Sequence, residues 1–253
     1  MTEKIILQDG GIRISAVLEK ESAGACPLVI HLHGFSSSKD RPHNIACCRA
    51  MREAGCATLR MDLYGHGETE GEFRDHTLFK WISNALTAVD WARRQPFVTS
   101  ILLSGHSQGG LVAALAAAME RDRVKGLILR APAFMIPECA RTGQMLGRSF
   151  DPGVIPDEIP LFKGLTLSGN YVRVAQTIHP EEAMVLFPGP VLLIHGDQDD
   201  TVPCTDSQAA ARRYRDCRLA VIPGETHHFD RCPEITQAVI RDWLGQRIGS
   251  IIS

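Results

Sequence analysis

Residues 105–109 read Gly-His-Ser-Gln-Gly, so a serine stands between two glycines, each two positions away. The mainly apolar run 101–104 precedes this motif, and a segment with helical periodicity, 110–120, follows it. A serine at such a strand-to-helix turn has a strained backbone and an exposed hydroxyl, and the glycines let neighbouring backbone pass close by. The motif therefore predicts that Ser107 attacks acyl carbonyl carbons, at a helix N-terminus whose dipole favours negative charge on the carbonyl oxygen.

A serine hydroxyl is a weak nucleophile near neutral pH and needs a base within hydrogen-bonding distance, which a third side chain orients. Suitable groups follow Ser107 in the order acid and then histidine, at 195–203 (His-Gly-Asp-Gln-Asp-Asp-Thr-Val-Pro) and at 223–229 (Pro-Gly-Glu-Thr-His-His-Phe). Both His227 and His228 qualify as the base, and several aspartates compete for the acid position. These aspartates include Asp197, Asp199 and Asp200.

The elements that must bring these residues together can be predicted from hydrophobic periodicity. The N-terminal segment alternates polar and apolar residues around a turn at 9–11, which predicts an antiparallel hairpin. After it, short runs rich in Val, Ile and Leu alternate with helical segments. The strand runs are 28–32, 57–61, 101–104, 124–129, 191–194 and 219–222. The helical segments are 45–53, 78–93, 111–120, 207–214 and 234–247.

Strands that are apolar on both faces and alternate with helices indicate a parallel sheet covered by helices on both sides. Together with the hairpin, this pattern predicts an α/β fold with a mostly parallel eight-stranded sheet. Sheets of this type bind ligands at the carboxyl ends of their strands. Polar residues follow the strand runs directly, at 33–35, 62–65, 105–107, 196–199 and 227–228. We therefore expect these loops to converge on one site.

The connection 132–190 is far longer than the dozen or so residues that a crossover needs, and it is rich in Pro, Gly, Met and Phe. Insertions of this length are usually functional. The pattern predicts a lid inserted at about 133–180, with the next crossover helix at its end. We expect residues 1–253 to form a single domain that carries this lid.

Four motifs resemble the α/β-hydrolase superfamily over essentially the whole chain: His-Gly-Phe at 33–35, Gly-His-Ser-Gln-Gly-Gly at 105–110, HGxxDxxVP at 195–203 and PGxxH at 223–227. More narrowly, three segments together resemble intracellular bacterial feruloyl (cinnamoyl) esterases. These are Met-Asp-Leu-Tyr-Gly-His-Gly at 61–67, Gly-Asn-Tyr-Val-Arg at 169–173 and His-Gly-Asp-Gln-Asp at 195–199. The resemblance implies the α/β-hydrolase fold and hydrolysis of esters of ferulic or related hydroxycinnamic acids, with neither metal nor cofactor.

The resemblance also implies which aspartate is the acid. The family pattern places it at the fourth residue after His195, which is Asp199. Asp197 and Asp200 are then turn formers, since Asp side chains readily hydrogen-bond nearby backbone.

By the same pattern the base is His227, the third residue after Gly224, and His228 is left outside the proton relay. The tetrahedral intermediate needs backbone N–H donors aimed at its oxygen. One donor is the amide of Gln108, which follows the nucleophile, and the match to His-Gly-Phe implies that the other is the amide of Phe35.

Several side chains of the predicted lid qualify as contacts to an aromatic acyl group. Phe134 and Tyr171 are candidates for the walls of its pocket, and Gln144 and Asp151 are candidates for hydrogen bonds to a phenolic hydroxyl. Other apolar lid residues are candidates for the same walls: Met135, Met145, Leu146, Phe150 and Phe162. The alternative is that most of these side chains only pack the lid onto the core.

Composition and charge limit the classes of partner. The 253 residues are 44% hydrophobic and 22% charged, which is typical of a globular domain, and the net charge of −2 gives no basic field for nucleic acid or an anionic membrane. The first eleven residues contain charges and a polar turn where a signal peptide needs an apolar run of about 7 to 15 residues, and no stretch approaches the roughly 20 apolar residues of a membrane span. We expect a cytoplasmic protein that binds a small-molecule ester. The oligomeric state stays open, with a homodimer among the alternatives.

Two other motifs are weak indications of a ligand site. Gly-His-Gly at 65–67 resembles part of a dinucleotide loop, but the next glycine, Gly71, comes one position too late and no helix is predicted there. His31 and His33 lie on one face of a strand, but carboxylates and thiols at metal-ligand spacing are missing nearby. We therefore expect packed, hydrogen-bonded histidines, with no metal and no cofactor.

Two alternative functions remain at this point. The first is a short-chain carboxylesterase or lipase-like hydrolase with no preference for aromatic acids. The second is a catalytically silent member of the fold that only binds small ligands. The presence of serine, acid and histidine disfavours the second, because a binding pocket has no use for all three.

Overall fold

A computed structural model of the chain describes residues 1–21 and 23–252. Its central sheet has eight strands in the order β1-β2-β4-β3-β5-β6-β11-β12, and two short hairpins, β7-β8 and β9-β10, lie outside it. The strands, in chain order, are β1 (Thr2–Asp9), β2 (Ile12–Glu19), β3 (Cys26–Leu32), β4 (Ala57–Met61), β5 (Val98–His106), β6 (Val124–Arg130), β7 (Gln144–Met145), β8 (Arg148–Ser149), β9 (Glu158–Pro160), β10 (Thr166–Ser168), β11 (Val191–Gly196) and β12 (Cys217–Ile222).

The helices cover both faces of the sheet. They are α1 (Pro42–Glu53), α2 (Leu78–Ala92), α3 (Gln108–Met119), α4 (Ile136–Thr142), α5 (Gly169–Gln176), α6 (Pro180–Leu186), α7 (Cys204–Ala211) and α8 (Pro233–Ile252). Alternate residues of β3 enter two separate apolar clusters, Leu28 in one and Val29 in the other. Trp81 of α2 packs in the first cluster, and Trp243 of α8 packs in the second. Two layers of helices therefore enclose a sheet that is buried on both sides.

The predicted fold class is confirmed. β1 and β2 form the antiparallel hairpin, β2 pairs antiparallel with β4, and the remaining neighbours of the sheet pair in parallel. The parallel register brings Leu32 beside Gly105 and His106 beside Arg130. Strands β3, β5 and β6 thus end at the same edge, where the predicted polar loops begin.

The long connection lies between β6 and β11, which are neighbours in the sheet. It contains α4, both small hairpins, α5 and finally α6, which packs against α3 as a crossover helix. We call residues 133–180 of this connection the insertion. It stays a prediction that the insertion acts as a lid. It also stays a prediction that residues 1–253 form one domain.

No helix in the described part of the chain is long and apolar enough to cross a membrane. The cytoplasmic location and the homodimer stay predictions from the sequence.

A buried ion pair connects two loops at the carboxyl edge of the sheet. Asp62, directly after β4, accepts hydrogen bonds from the Lys39 backbone N–H at 2.7 Å, the Lys39 ammonium at 2.6 Å and the Glu68 N–H at 2.9 Å. Both side chains are almost fully buried. Burial lowers the pKa of Lys39, but hydrogen bonds to Asp62 and Glu68 outweigh it and raise the pKa to about 12. The charged pair therefore fixes the loop that follows β3.

Replacement of this cation should destabilise the fold. Lys39→Met leaves the Asp62 carboxylate buried without its cation, and removal of one partner of a buried pair costs about 3–5 kcal/mol. Urea denaturation followed by circular dichroism measures the loss in the free energy of unfolding. The matched control is Lys125→Met, since the exposed Lys125 ammonium donates only to the carbonyl of Asp122. An equal, small change in both variants would show that the pair is dispensable.

Candidate active site

The motif at 105–109 forms a sharp turn between β5 and α3. Ser107 has φ 56° and ψ −123°, a left-handed conformation that is strained for a residue with a side chain. Surrounding hydrogen bonds hold it there: the Ser107 N–H donates to the Arg130 carbonyl at 3.0 Å, and the Ser107 carbonyl accepts from Gly110 and Ala133 at 2.9 and 3.0 Å. The predicted strand-to-helix turn is present, with the serine at its apex.

The two glycines of the motif are required by close backbone packing. A Cβ atom at Gly105 would overlap the carbonyl of Gly109. A Cβ atom at Gly109 would overlap the carbonyls of Leu32 and His33 at the end of β3. Any larger residue would push α3 away from the sheet and move the Ser107 side chain with it.

The structure brings Ser107, His227 and Asp199 together in one hydrogen-bonded chain. His227 Nε2 lies 3.0 Å from Ser107 Oγ, and His227 Nδ1 lies 2.7 Å from Asp199 Oδ2. An ionised carboxylate only accepts, so Nδ1 carries the proton and donates to Asp199. Nε2 of the neutral ring is then free to accept the Ser107 proton.

Asp199 is held ionised. Burial raises its pKa, but hydrogen bonds from His195, His227 and the Val202 N–H outweigh that effect and hold the pKa well below its usual range. Its Oδ1 atom accepts from the backbone N–H groups of Thr201 and Val202 at 2.9 and 2.8 Å. The carboxylate is therefore fixed in position while its other oxygen faces His227.

The other candidates for the acid and base roles lie outside this hydrogen-bonded chain. The exposed Asp197 accepts from the Gly224 N–H at 2.7 Å, and the exposed Asp200 accepts from the Thr201 hydroxyl at 3.1 Å, so both stabilise turns. His228 is exposed, and its ring centroid lies 5.5 Å from that of His227. None of the three has a hydrogen bond to Ser107 or His227 in the described structure.

Three residues that support His227 and Asp199 were missed by the sequence analysis. His106 Nε2–H donates to the His227 carbonyl at 2.8 Å, and the buried His195 contacts Asp199 Oδ2 through Nε2 at 3.2 Å. The buried Glu225 carboxylate accepts from the N–H groups of Thr226, Arg231 and Cys232 at 2.8–3.1 Å. The available signal for Glu225 was an acidic residue within the turn sequence that precedes His227.

The predicted oxyanion donors lie beside the serine. Phe35 and Gln108 both line the same cleft as Ser107. Gln108 is the first residue of α3, where backbone N–H groups have no acceptor within the helix. The loop that carries Phe35 is held by His33, whose Nδ1–H donates to the Gly34 carbonyl at 2.8 Å and whose Nε2 accepts from the Leu63 N–H at 3.0 Å.

His33 is thus a hydrogen-bonded core residue. Burial, followed by the neighbouring His66, holds its pKa well below the usual value, so it is neutral. His31 lies 3.0 Å from both Ser104 Oγ and Asn44 Oδ1 through its two ring nitrogens. Over the described residues, no group of three or more His, Cys, Asp or Glu side chains is arranged to hold a metal ion.

A cleft of about 970 Å³ opens at Ser107, and we group its lining residues into two arms by the elements that supply them. The insertion arm is mainly apolar and is lined by Ala133, Met135, Ile136, Cys139, Met145, Leu146, Phe162 and Tyr171. The helix arm is mainly polar and runs between α1 and α8, lined by Arg41, Pro42, His43, Ala46, Arg49, His228, Asp230, Pro233 and Gln237. Ser107 and His227 line the same cleft and belong to neither group.

Of the four predicted substrate contacts, only Tyr171 lines the cleft. Phe134 is buried in the apolar core, so it supports the insertion without facing the cleft. Gln144 and Asp151 are exposed, accepting from the Ser149 hydroxyl at 3.2 Å and the Gly153 N–H at 2.8 Å. The structure thus places these three outside the cleft lining, and their contact with the substrate stays a prediction that this placement does not support. The further candidate Phe150 also lies outside the cleft, whereas Met135, Met145, Leu146 and Phe162 line it.

Tyr171 connects the insertion to the serine turn. Its hydroxyl donates to Gln108 Oε1 at 2.7 Å, and both side chains are buried. Gln108 Nε2 is buried and has no hydrogen-bond partner among the described residues. The insertion thereby fixes the side chain of the residue whose amide is the predicted oxyanion donor.

A nucleophile turn at the carboxyl edge of a sheet covered on both faces defines the chain as an α/β hydrolase, and it is a serine ester hydrolase. It belongs to the family described as serine aminopeptidase, S33 (Hydrolase_4), whose model matches residues 24–157.

Solved structures and curated proteins agree with this assignment. Est1E from Butyrivibrio proteoclasticus, solved with ferulic acid bound, is 46% identical with a TM-score of 0.95, covering 97% of this chain and 99% of that one. The human protein ABHD12B is 25% identical over 87% of this chain, which spans only 61% of the length of ABHD12B. The monoacylglycerol lipase of Mycolicibacterium smegmatis is 23% identical and covers 89% of each chain.

Loss of the Tyr171 hydroxyl should reduce both stability and activity. Tyr171→Phe leaves Gln108 Oε1 buried without a donor, which costs about 1–3 kcal/mol of unfolding free energy, and it frees the Gln108 side chain beside the serine. We expect kcat/KM for p-nitrophenyl acetate to fall by a few-fold. The matched control is Tyr214→Phe, because the buried Tyr214 hydroxyl has no hydrogen-bond partner among the described residues. Equal behaviour of the two variants would contradict the proposed link.

Proposed function

We propose that the chain hydrolyses esters of ferulic or related hydroxycinnamic acids through an acyl-enzyme on Ser107. The observation that carries the proposal is the 3.0 Å contact between Ser107 Oγ and His227 Nε2 at the inner end of an apolar cleft arm. The high similarity to Est1E, whose structure holds ferulic acid, supports the choice of acid.

The first half of the reaction forms the acyl-enzyme. Ser107 Oγ attacks the ester carbonyl carbon while its proton passes to His227 Nε2. The imidazolium that results is stabilised by the Asp199 carboxylate at 2.7 Å. The negative charge on the former carbonyl oxygen is met by the N–H groups of Phe35 and Gln108, each such donor contributing on the order of 3 kcal/mol. His227 then returns the proton to the departing alcohol oxygen, and the C–O bond breaks.

The second half releases the acid. A water molecule enters beside His227, which takes its proton as the water oxygen attacks the acyl carbon. Collapse of the second tetrahedral intermediate returns the proton to Ser107 Oγ and frees the carboxylic acid. Because His227 accepts and donates protons through the same nitrogen, the ring needs no movement other than that of the proton.

The insertion arm suits an aromatic acyl group. Its walls include Met135, Met145, Phe162 and Tyr171, and the Phe35 ring lies 6.5 and 6.4 Å from those of Phe162 and Tyr171, both edge-on. Aromatic side chains pack edge-to-face with further aromatic groups, and methionine sulfur also packs favourably on ring edges. We propose that the insertion is a lid over this arm.

The alternative is a hydrolase for aliphatic esters. The relative from Mycolicibacterium smegmatis is a monoacylglycerol lipase, and an apolar arm also accepts an alkyl chain. A binding function without catalysis is disfavoured by the aligned hydroxyl, imidazole and carboxylate.

The role of Asp199 is tested by two amide substitutions. In Asp199→Asn the side-chain amide either presents an N–H group to His227 or no longer fixes the tautomer of the His227 ring. The value of kcat should therefore fall by a factor on the order of 10³ to 10⁴. Asp197→Asn retains an oxygen for the Gly224 N–H at an exposed site, and kcat should stay within about twofold of the wild type. Steady-state kinetics on one activated ester measures both. Comparable losses would move the acid role away from Asp199.

The acyl preference is tested with two methyl esters. The value of kcat/KM for methyl ferulate should exceed that for methyl butyrate by about tenfold or more, because burial of an aromatic ring removes more apolar surface from water. Release of acid is followed by pH-stat, with Ser107→Ala as the inactive control. Equal or lower efficiency on the ferulate would instead support the aliphatic esterase.

A further inference from the structure

We propose that the helix arm of the cleft is the site for the alcohol half of the ester, and that it selects alcohols that carry a carboxylate. This inference rests on the proposed ester hydrolysis at Ser107 and adds to it the chemical class of the leaving group. It is carried by the position of the arm relative to His227 and by the charges on its walls.

The helix arm lies on the side of Ser107 from which the alcohol departs. The leaving oxygen must take its proton from His227 Nε2, so the alcohol half extends past that ring. A row of histidines leads from His227 into the arm. The ring centroids of His227 and His228 lie 5.5 Å apart, and those of His228 and His43 on α1 lie 6.3 Å apart. His106 lies between them, 4.8 Å from His227 and 5.0 Å from His43.

The insertion arm lies on the other side. Its Tyr171 hydroxyl donates to Gln108 at 2.7 Å, and its Tyr171 and Phe162 rings face Phe35. Gln108 and Phe35 are the proposed oxyanion donors. The acyl group therefore extends from the oxyanion side into the apolar arm, which leaves the polar arm for the alcohol.

The walls of the helix arm carry an excess of positive charge. Arg41 and Arg49 line it, and neither forms an ion pair with a carboxylate of the described residues. Arg52 of α1, which does not line the cleft, is different, because it pairs with Glu19 at 2.9 Å and with Glu21 at 3.2 Å. Arg41 and Arg49 thus line the cleft without a carboxylate partner among the described residues.

Neutral donors and acceptors complete the arm. Asp230 is the only carboxylate among its lining residues, and it already accepts from the Thr226 hydroxyl at 2.7 Å. Burial, with the charge of Arg130, lowers the pKa of His43 to about 3, so this ring is neutral. His43 Nε2 has no hydrogen-bond partner in the described structure, and the Gln237 amide lines the opposite wall. Such groups suit the hydroxyls of a polar alcohol.

Two guanidinium groups over one carboxylate favour an anionic ligand. Guanidinium groups form directional hydrogen bonds to carboxylates, and Ala46, whose side chain is small, lines the same arm as the two arginines. The site therefore fits the ester of a hydroxycinnamic acid with a small hydroxy acid. A neutral alcohol would enter the same arm without the ionic contribution.

The test uses two feruloyl esters of nearly equal size, of which only one carries a charge on the alcohol half: the ester of glycolate and the ester of glycolamide. For the wild type at low ionic strength, kcat/KM for the glycolate ester should exceed that for the glycolamide ester by about fivefold, mainly through KM. In about 0.5 M NaCl the ratio should fall towards one, because salt screens exposed charges.

Variants assign the effect to the arm. In the double variant Arg41→Gln, Arg49→Gln the ratio should fall to that measured for the wild type in high salt. The control Arg121→Gln removes the same charge from an exposed position outside the cleft and should keep the wild-type ratio. Because each ratio compares two substrates on one protein sample, partial unfolding of a variant does not change it.

Two results would overturn the inference: equal kcat/KM for the two esters in the wild type at low salt, or a wild-type ratio retained in the double variant. The proposed function fails separately, if methyl ferulate is not preferred over methyl butyrate. In that case the butyrate esters of glycolate and glycolamide give the same ratio test of the alcohol site. If no ester of the set is hydrolysed, both proposals are wrong.

Discussion

The close approach of Gly109 to the end of β3 is the constraint on which the rest of the site depends. The backbone of α3 passes so near the Leu32 and His33 carbonyls that no Cβ atom fits between them. This approach holds the left-handed Ser107 at the carboxyl edge of the sheet. It also brings the amide of Gln108 next to the loop that carries Phe35, since that loop continues directly from β3. One packing contact therefore positions both Ser107 and the predicted oxyanion donors.

The polar groups behind the serine are buried, and they comprise one charged guanidinium and several neutral imidazoles. The Arg130 guanidinium is fully buried, donates to Asn44 Oδ1 at 3.0 Å and lies 5.3 Å from the Phe229 ring, with no carboxylate partner among the described residues. Burial first, and the Arg130 charge second, lower the pKa of His31 to about 3 and hold that of His106 well below its usual value. These imidazoles act as neutral hydrogen-bonding spacers. The ring of His227 differs from them because it touches both a hydroxyl and an ionised carboxylate.

Much of the fold and the central part of the site could be predicted from sequence, for physical reasons. Strands buried on both faces are continuous apolar runs, so 28–32 and 191–194 identified β3 and β11 to within two residues at one end of each strand. The Gly-x-Ser-x-Gly spacing reflects steric overlap, which leaves few alternatives. The choice of Asp199 over Asp197 came from family resemblance, because both follow β11 and only the turn geometry separates them.

Side-chain directions in the insertion could not be predicted. Its strands have two or three residues each, and no period assigns Phe134, Gln144 or Asp151 to a face. Glu225 and His106 were missed for another reason. They act by fixing the backbone around His227, and a side chain that binds backbone amides or carbonyls leaves no spacing pattern in the sequence.

The two arms of the cleft are built from different parts of the chain, and this division has a consequence for specificity. The insertion supplies most of the apolar arm, whereas α1 and α8, which belong to the helical layer of the sheet, supply the polar arm. The insertion joins the core between β6 and β11, so its length and packing can change without disturbing α1 or α8. The helix arm, by contrast, shares its backbone with the apolar cluster that contains Met51 and Trp243. Only its surface side chains, such as Arg41 and Arg49, are free to vary. On the proposed assignment of the two arms, recognition of the acyl group depends on the shape of the insertion, and recognition of the alcohol depends on charged side chains of helices that pack in the core.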